Sequence, residues 1–367
     1  MKLCFLAGAD SIHSVRWIRY FADRGHEVHW ISLTPSTQSD IGGVKLHLIK
    51  GLPTARHYTP SLLCYAICIK RLVARISPDI LHAHYAGVNG VVGALSGFHP
   101  FVLTAWGSDV LFAAKSKLKG PLVRFALNKA DMITCDAEHM RDAIKKLEVD
   151  PNKINLIYFG VDTQKFRPSE RDENLKDKLG IFNSPTIISL RNLEPVYDVE
   201  SLINSIPQVL AEVPEAKFVI AGKGSQEREL KGLARSLGVS ESIRFVGWIS
   251  NDELPQYLAS ADIYVSTSLS DAGLAASTAE AMACGLPVVI TDSGENRKWV
   301  KDGESGFIVP IKNAKVLAER VVYLLKNGGI RAEFGEISRK IIEERNNYYK
   351  EMNKMENIYR ELIKVQR

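Results

Sequence analysis

Between Leu269 and Phe307 the chain concentrates residue types suited to holding a phosphorylated ribose. Ala272, Gly273, Ala275 and Ala276 leave the backbone bare, so that its amides can approach a ligand closely. Two strand signals, Asp262–Thr267 and Pro287–Ile290, flank this loop, and a short helix is expected to open from it. A helix N-terminus adds unpaired N–H groups and the positive end of a dipole, which suits a phosphate. Glu280 follows about one turn later, and the two acceptor oxygens of a carboxylate match the adjacent hydroxyls of a ribose. The same residues, Ser277-Thr278-Ala279-Glu280, also fit a capping box, in which Ser277 caps the helix and Glu280 reaches back to its amide. Spacing leaves both readings open.

The elements that must carry these residues alternate strand and helix along the chain. In the first half, strands are expected at Lys2–Leu6, Glu27–Ser32, Val44–Ile49, Asp79–Ala83, Phe101–Thr104 and Asp131–Cys135. Helices are expected from Val15 to Asp23, from Pro60 (after a Thr59 cap) to Ile76, through Val88–Leu95, and over Pro121–Ala130 and Ala137–Lys146. Parallel strands bind ligands beyond their carboxyl ends, which singles out the turns Gly8–Ser14, His82–Asn89 and Trp106–Asp109. His82 and His84 share a strand face by alternation, and His84 lies nearer the loop mouth. Trp106 has a face that could stack on a sugar or fill the core. A hinge is read over Asn155–Asp162, and the alternation resumes from Thr186 to Leu325. From Ile341 to Lys364 a helical stretch carries one apolar stripe, Ile341, Tyr348, Met352, Met355, Tyr359 and Leu362.

Composition bounds the function. The 367 residues are 46% hydrophobic and 24% charged, as in a soluble globular chain of two domains. No run has the length of a membrane-spanning helix, and the early apolar run Leu3–Ala7 is too short for a signal segment. Five scattered cysteines lack zinc spacing and read as buried apolar residues in a reducing cytoplasm. Residues 1–165 hold 20 Lys+Arg against 13 Asp+Glu, about +7, and the remainder is near neutral, so an anionic partner is expected for the first half. Neither Gly8 nor Gly222-Lys223-Gly224 completes a Gly-x-Gly-x-x-Gly fingerprint, which argues against nicotinamide and flavin chemistry. No carboxylate pair spaced for glycoside hydrolysis and no metal cluster is evident.

The run Glu280-Ala-Met-Ala-Cys-Gly-Leu-Pro-Val-Val289 resembles the nucleotide-sugar site of the family 4 retaining glycosyltransferases. The resemblance covers nearly the whole chain, with its specific motifs in residues 186–307. It implies an α/β chain of GT-B architecture: two Rossmann-like doubly wound domains facing a cleft, with the C-terminal helix packing back on the first. The acceptor domain would span 1–163 with 346–367, and the nucleotide-sugar domain 164–345. It further implies that Arg191, at the mouth of strand Ile187–Leu190, stabilises the leaving diphosphate, with Tyr197 in the place of a customary Lys and Lys223 supplying a second cation. Glu280 would hold the ribose, Gly273, Leu274 and Ala275 the diphosphate, and Trp248 and Ile249 the base. The family's first Glu falls at Ala272, which makes Asp271 the nearest acid for the donor sugar. In the first half, Trp106 replaces a customary His and Phe159 a customary Asn; His84 is the catalytic candidate, and His13, Arg16, Trp106 and Asp109 the acceptor-binding ones.

The resulting expectation is a hexosyltransferase of polysaccharide or glycolipid synthesis. It would move a sugar from a nucleotide diphosphate to a glycan or lipid-linked acceptor with retention, without metal and without nucleic acid. It would work in the cytoplasm, with its basic first domain on the inner face of the membrane. Two alternatives stand beside it, a sugar-nucleotide epimerase and a non-catalytic sugar-nucleotide-binding subunit.

Overall fold

The computed structural model describes residues 1–9, 11–34, 41–49, 60–271 and 273–366, so that Thr59 and Ala272 lie outside it. Short, strongly apolar segments form two all-parallel sheets. The first contains β1 (Lys2–Leu6), β2 (Glu27–Ser32), β3 (Val44–Leu48), β4 (Ile80–His84), β5 (Phe101–Thr104), β6 (Met132–Cys135) and β7 (Ile154–Leu156) in the order β3-β2-β1-β4-β5-β6-β7. The second contains β8 (Thr186–Ser189), β9 (Lys217–Ala221), β10 (Ile243–Gly247), β11 (Ile263–Ser266), β12 (Val288–Thr291) and β13 (Gly306–Val309) in the order β10-β9-β8-β11-β12-β13. Helices cover both faces of a parallel sheet, which is why β4, β5, β8, β11 and β12 are buried at every residue and carry no polar alternation.

Strand order reverses direction between β1 and β4 in one sheet and between β8 and β11 in the other. At such a switch point the connections leave toward opposite faces and open a crevice beyond the strand ends. The chain divides into two compact units, Met1–Phe159 with Lys350–Arg367, and Gly160–Tyr349. Each has its own apolar core, one around Ile69, Leu81, Leu103 and Ile133, the other around Ile187, Ile206, Val265 and Val289.

Four details depart from the sequence reading. The first helix runs Ile12–Asp23 and begins before Val15, because the Ser11 hydroxyl accepts the Ser14 amide at 3.3 Å and caps it. Ile154–Leu156 pairs with β6 as an edge strand where a hinge was expected. The C-terminal stretch is two helices, Gly328–Arg345 and Tyr348–Gln366, which puts Ile341 on the first of them. They part at Asn346 and Asn347, whose groups bind the Gly160–Thr163 segment: the Asn346 Oδ1 accepts the Gly160 amide at 3.1 Å, and the Asn347 side-chain amide donates to Thr163 Oγ1 at 2.7 Å. Lastly, only Cys4, Cys135 and Cys284 are buried; Cys64 and Cys68 are exposed on the helix Pro60–Ile76. Among the described residues no helix is long and apolar enough to cross a membrane.

The stripe Tyr348, Met352, Met355 and Tyr359 is buried. On the first unit the helix is fixed by Tyr20 donating to Asn353 at 2.8 Å, by Arg24 paired with Glu356 at 2.8 Å, and by Tyr359 Oη against His82 Nδ1 at 2.5 Å. Tyr359 is fully buried, so removing its hydroxyl strands a buried imidazole nitrogen. Tyr359→Phe should therefore cost about 1–3 kcal/mol, read as a lowered denaturation midpoint of the first unit.

Candidate functional site

The second unit's polar residues gather at the β8/β11 switch point. Arg191 leaves β8 two residues past Ser189, and Asp271 lies in the loop after β11. The Arg191 Nη2 meets Asp271 Oδ1 at 2.5 Å, with both side chains buried. Nη2 also donates to Ser268 Oγ and Nη1 to Ser277 Oγ, each at 3.4 Å. The ring of Tyr197 lies under the guanidinium, 4.4 Å from Cζ to centroid. The Arg191 Nε is buried without a hydrogen-bond partner among the described residues. Two glycines make the seat possible. A Cβ on Gly222, whose φ is +130°, would sit 2.4 Å from the Arg191 carbonyl oxygen, and one on Gly294 would sit 1.8 Å from that of Asp271.

This arrangement decides the capping question. The helix Ala276–Ala283 has Ala275 as its N-cap, with no side chain bonded over its end. Ser277 is inside the helix, and its hydroxyl is shared between Arg191 and Tyr264 Oη, the latter at 2.9 Å. Ser277 is therefore not the helix cap, and Gly273, Leu274 and Ala275 lead into an end where the N-cap residue, Ala275, makes no side-chain hydrogen bond. Glu280 is half-buried one turn into the same helix. Asp271 differs from its expected role: its carboxylate is committed to Arg191 and positions the guanidinium. Lys223 is exposed beside Gly247, and Trp248 is 68% exposed beyond the end of β10 with Ile249 half-buried next to it, an indole left open at the strand mouth.

In the first unit the corresponding place is the β1/β4 switch point. His84 ends β4; its Nδ1 shares a hydrogen bond with Ser14 Oγ at 2.9 Å, while its Nε2 is buried without a partner among the described residues. Rings of Phe5, Trp17 and Trp106 enclose it at 5.8, 5.3 and 5.6 Å. His13, exposed on the first helix, stacks on Trp106 at 5.4 Å and meets the Phe159 edge at 4.7 Å, and Arg16 lies over the Phe159 ring at 4.6 Å. So the two first-unit positions that depart from the family pattern, Trp106 and Phe159, share the same histidine. His82 is a strut, bonded to Tyr359 and, through Nε2, to Thr104 Oγ1 at 2.6 Å.

Two assignments in this unit change. Asp109 does not offer its carboxylate to sugar hydroxyls. It is fully buried and accepts the amides of Ala86 at 2.7 Å, Gly107 at 3.0 Å and Val110 at 3.0 Å as well as that of Trp106, so it shapes the turn that presents Trp106. His84 is uncharged at neutral pH: burial, aided by His13, pushes its imidazole down to about 3. It remains a hydrogen-bonding group. Sequence reasoning missed Ser14, Trp17, Ser268 and Tyr264. Ser14 alone had a local signal, its place in the first turn of a helix; the others act on partners remote in sequence. Among the described residues no group of three or more His, Cys, Asp or Glu is placed to hold a metal.

A family model described as "Glycosyl transferases group 1" matches residues 171–341, and one described as "Glycosyl transferase 4-like" matches residues 2–137. The chain belongs to the group 1 glycosyltransferases. Similar proteins include N-acetyl-alpha-D-glucosaminyl L-malate synthase of Bacillus anthracis, 25% identical over 97% of this chain and 95% of that protein. Another is the GDP-mannose-dependent alpha-(1-6)-phosphatidylinositol monomannoside mannosyltransferase of Mycolicibacterium smegmatis, 26% identical over 79% of each. Among solved structures, HepE of Anabaena in complex with UDP superposes with a TM-score of 0.81 at 18% identity over 99% of this chain and 100% of that one, a likeness of fold. The two sheets of this glycosyltransferase are those of the GT-B architecture.

The buried histidines make the transferase sensitive to acid. A histidine in the unfolded chain titrates near 6.5, whereas His84 stays neutral until about 3 and His82 also titrates well below its ordinary value. Between those limits the unfolded state binds more protons, so stability falls as pH falls from about 6.5 toward 3. His84→Gln should flatten that dependence by about 1.4 kcal/mol per pH unit, read from urea unfolding at a series of pH values.

Proposed function

We propose that this glycosyltransferase moves a sugar from a nucleotide diphosphate to a hydroxyl of a glycan or lipid-linked acceptor, with retention at the anomeric carbon. The observation that carries the reading is the Arg191 guanidinium, held from three sides at the β8/β11 switch point beside a helix end that no side chain caps. Departure of the sugar leaves charge on the diphosphate, and donors already fixed around that place stabilise it without reorganising. Arg191, Lys223 and the amides of Gly273 to Ala275 supply those donors, with no metal required. Glu280 takes the ribose hydroxyls, and the exposed Trp248, with Ile249, takes the base. The nucleotide complexes of relatives such as HepE support the same donor class.

Retention follows from attack on the face the diphosphate leaves, with a phosphate oxygen accepting the acceptor's proton. That route leaves His84, which burial holds neutral, as a hydrogen-bonding group. The acceptor lies against His13, Arg16 and Trp106, and the basic first unit brings the protein to the inner face of the membrane.

Arg191→Lys tests the core of the proposal better than truncation, since Arg191→Ala would also strand the buried Asp271. The lysine keeps a charge but loses the fork and the stack on Tyr197. Turnover of uridine or guanosine diphosphate sugars should fall about 10²–10³-fold, with a small change in melting temperature. Glu280→Ala should weaken nucleotide diphosphate binding by about 10–100-fold in thermal-shift titration. Unchanged nucleotide affinity in Glu280→Ala, with only a lower melting temperature, would return Glu280 to a structural role. Loss of wild-type turnover in chelator would overturn the metal-free mechanism.

A further inference from the structure

The second unit carries another charged cluster, at the edge of its sheet opposite Arg191. Its strands all pair in parallel, so their amino ends lie along one edge and their carboxyl ends along the other. Asp262 stands just before β11 at the amino edge, and its Oδ2 accepts the amide of Thr186, the first residue of β8, at 2.8 Å. Its Oδ1 accepts from Arg171 Nη2 at 2.6 Å, and Arg331 Nη2 stands 3.8 Å from the same oxygen. One carboxylate therefore faces two guanidiniums, with both of its oxygens already engaged. Arg331 is anchored on its other side, where Nη1 donates to the carbonyls of Leu324 and Leu325 at 3.1 Å each.

A third cation adds to the imbalance. Lys176, on the helix Glu173–Leu179, has a side chain only 6% exposed, and its ammonium makes no hydrogen bond among the described residues. Its ion-pair partner, Glu173, is 3.6 Å away and more than half exposed, and the ring of Phe182 lies 5.3 Å off. A buried ammonium is costly unless it is both paired and hydrogen-bonded. Arg171, Lys176 and Arg331 line one open cavity of about 300 Å³, together with Asp262, Asn183 and Ser184. Its walls thus hold three cations against one carboxylate. An adjoining cavity shares Arg171, Asp262 and Arg331 and reaches Gly328, which opens the helix Gly328–Arg345 with no side chain bonded from its N-cap. The positive end of that helix dipole raises the local potential further.

We propose that this cavity binds a phosphate dianion, either free or carried on a small polar molecule, in a site separate from the donor site. Lys176 gains the charge-assisted hydrogen bond that the protein does not give it, Arg171 and Arg331 add guanidinium contacts, and Asn183 and Ser184 meet further oxygens. A monocarboxylate would neutralise only one of the two charges left over, whereas a phosphate dianion matches both. No aromatic ring lines the cavity among the described residues, so nothing there stacks on a nucleobase. Thr186 and Arg191 are separated by the length of β8, roughly 17 Å at the rise of a strand, so a small ion held here does not touch Arg191.

The test is calorimetric titration of the full chain with inorganic phosphate at constant ionic strength, in saturating uridine diphosphate to occupy the donor site. The wild type should bind phosphate saturably. Lys176→Met keeps the apolar stem, removes the buried charge, and should weaken phosphate binding about 10–100-fold. Asn183→Asp puts a carboxylate on the cavity wall; the residue is exposed at a φ of +57°, which Asp also adopts, so melting temperature should hold while phosphate affinity falls by at least about tenfold. Arg191→Lys should bind phosphate as the wild type does. Tighter binding of a hexose 6-phosphate than of inorganic phosphate would support an ester as the source, and equal affinity would support the free ion. No saturable binding, phosphate affinity unchanged in both Lys176→Met and Asn183→Asp, or phosphate binding lost in Arg191→Lys would overturn the proposal. Failure of the donor reading would appear elsewhere, as absent uridine diphosphate binding with the Lys176-dependent phosphate site intact.

Discussion

The second unit is organised around one buried ion pair, Arg191 with Asp271, which joins the loops that leave β8 and β11. Bringing two charges out of water costs several kcal/mol per ion, roughly, and Coulomb attraction repays it only where the remaining donors are also met. Here the two terminal nitrogens are met by Ser277 and Ser268 and the plane by the face of Tyr197, while Nε has no partner among the described residues. The pair is thus no cheap source of stability; a well-packed apolar pair would serve that purpose as well. What it provides is position. The guanidinium cannot swing away to solvent, and the glycines at 222 and 294 let the backbone close to within a carbonyl's width on both sides of it. A cation fixed in this way has no reorganisation left to do when charge develops near it.

That arrangement also accommodates a phenol, Tyr197, at the position where the family resemblance leads one to expect a second cation. Two cations side by side would repel, and each would need its own counter-charge. Tyr197 instead offers a π-face to Arg191, while its carbonyl accepts from Thr267 at 3.0 Å, so the ring and the loop after β11 are tied together. The remaining positive charge in this region, Lys223, is exposed and can move to a ligand. In the first unit the substitutions work similarly. A histidine and an asparagine would bring polar groups to the mouth; Trp106 and Phe159 bring rings that hold His13 between them, and partial desolvation of the imidazole, with the nearby Arg16, lowers the His13 pKa although the residue keeps an exposed edge. The mouth becomes an aromatic surface suited to the apolar face of a sugar ring.

Most of the architecture could be read from sequence because parallel strands covered on both faces leave an unambiguous trace. Phe101–Thr104 was placed to the residue, and others, such as Val44–Leu48, to within one. What escaped was whatever depends on a remote partner. The helix beginning at Ile12 and the edge strand Ile154–Leu156 have weak local signals, one needing its cap and the other its neighbour. The break at Asn346 has none, since its cause is the segment 160–163. The family resemblance pointed to Asp109 and Asp271 as ligand contacts, and spacing to Ser277 as a cap. Each is engaged by protein instead, and only the fold reveals that Asp109 is encircled by four backbone amides or that Asp271 faces Arg191. Polar residues at strand mouths are legible as a site; which of them touch a substrate and which hold the others is not.

The far end of the chain supplies the last constraint on the first site. His84 can be held neutral and unprotonated only if its surroundings stay dry and rigid, and the strand beneath it is fixed by its neighbour two residues back. His82 links Tyr359 of the terminal helix to Thr104 of β5, and Thr104 in turn bonds Thr134 of β6 at 2.6 Å. This hydrogen-bonded line crosses three adjacent strands and is capped by a helix 277 residues away in sequence. Every member is buried, so an unmade bond in it would carry the full desolvation penalty, and the line holds as a unit or not at all. The terminal helix is therefore part of the floor on which His84, Trp17 and Trp106 rest. A chain lacking that helix would still contain every residue of the aromatic mouth and would no longer have the buried network that sets their positions.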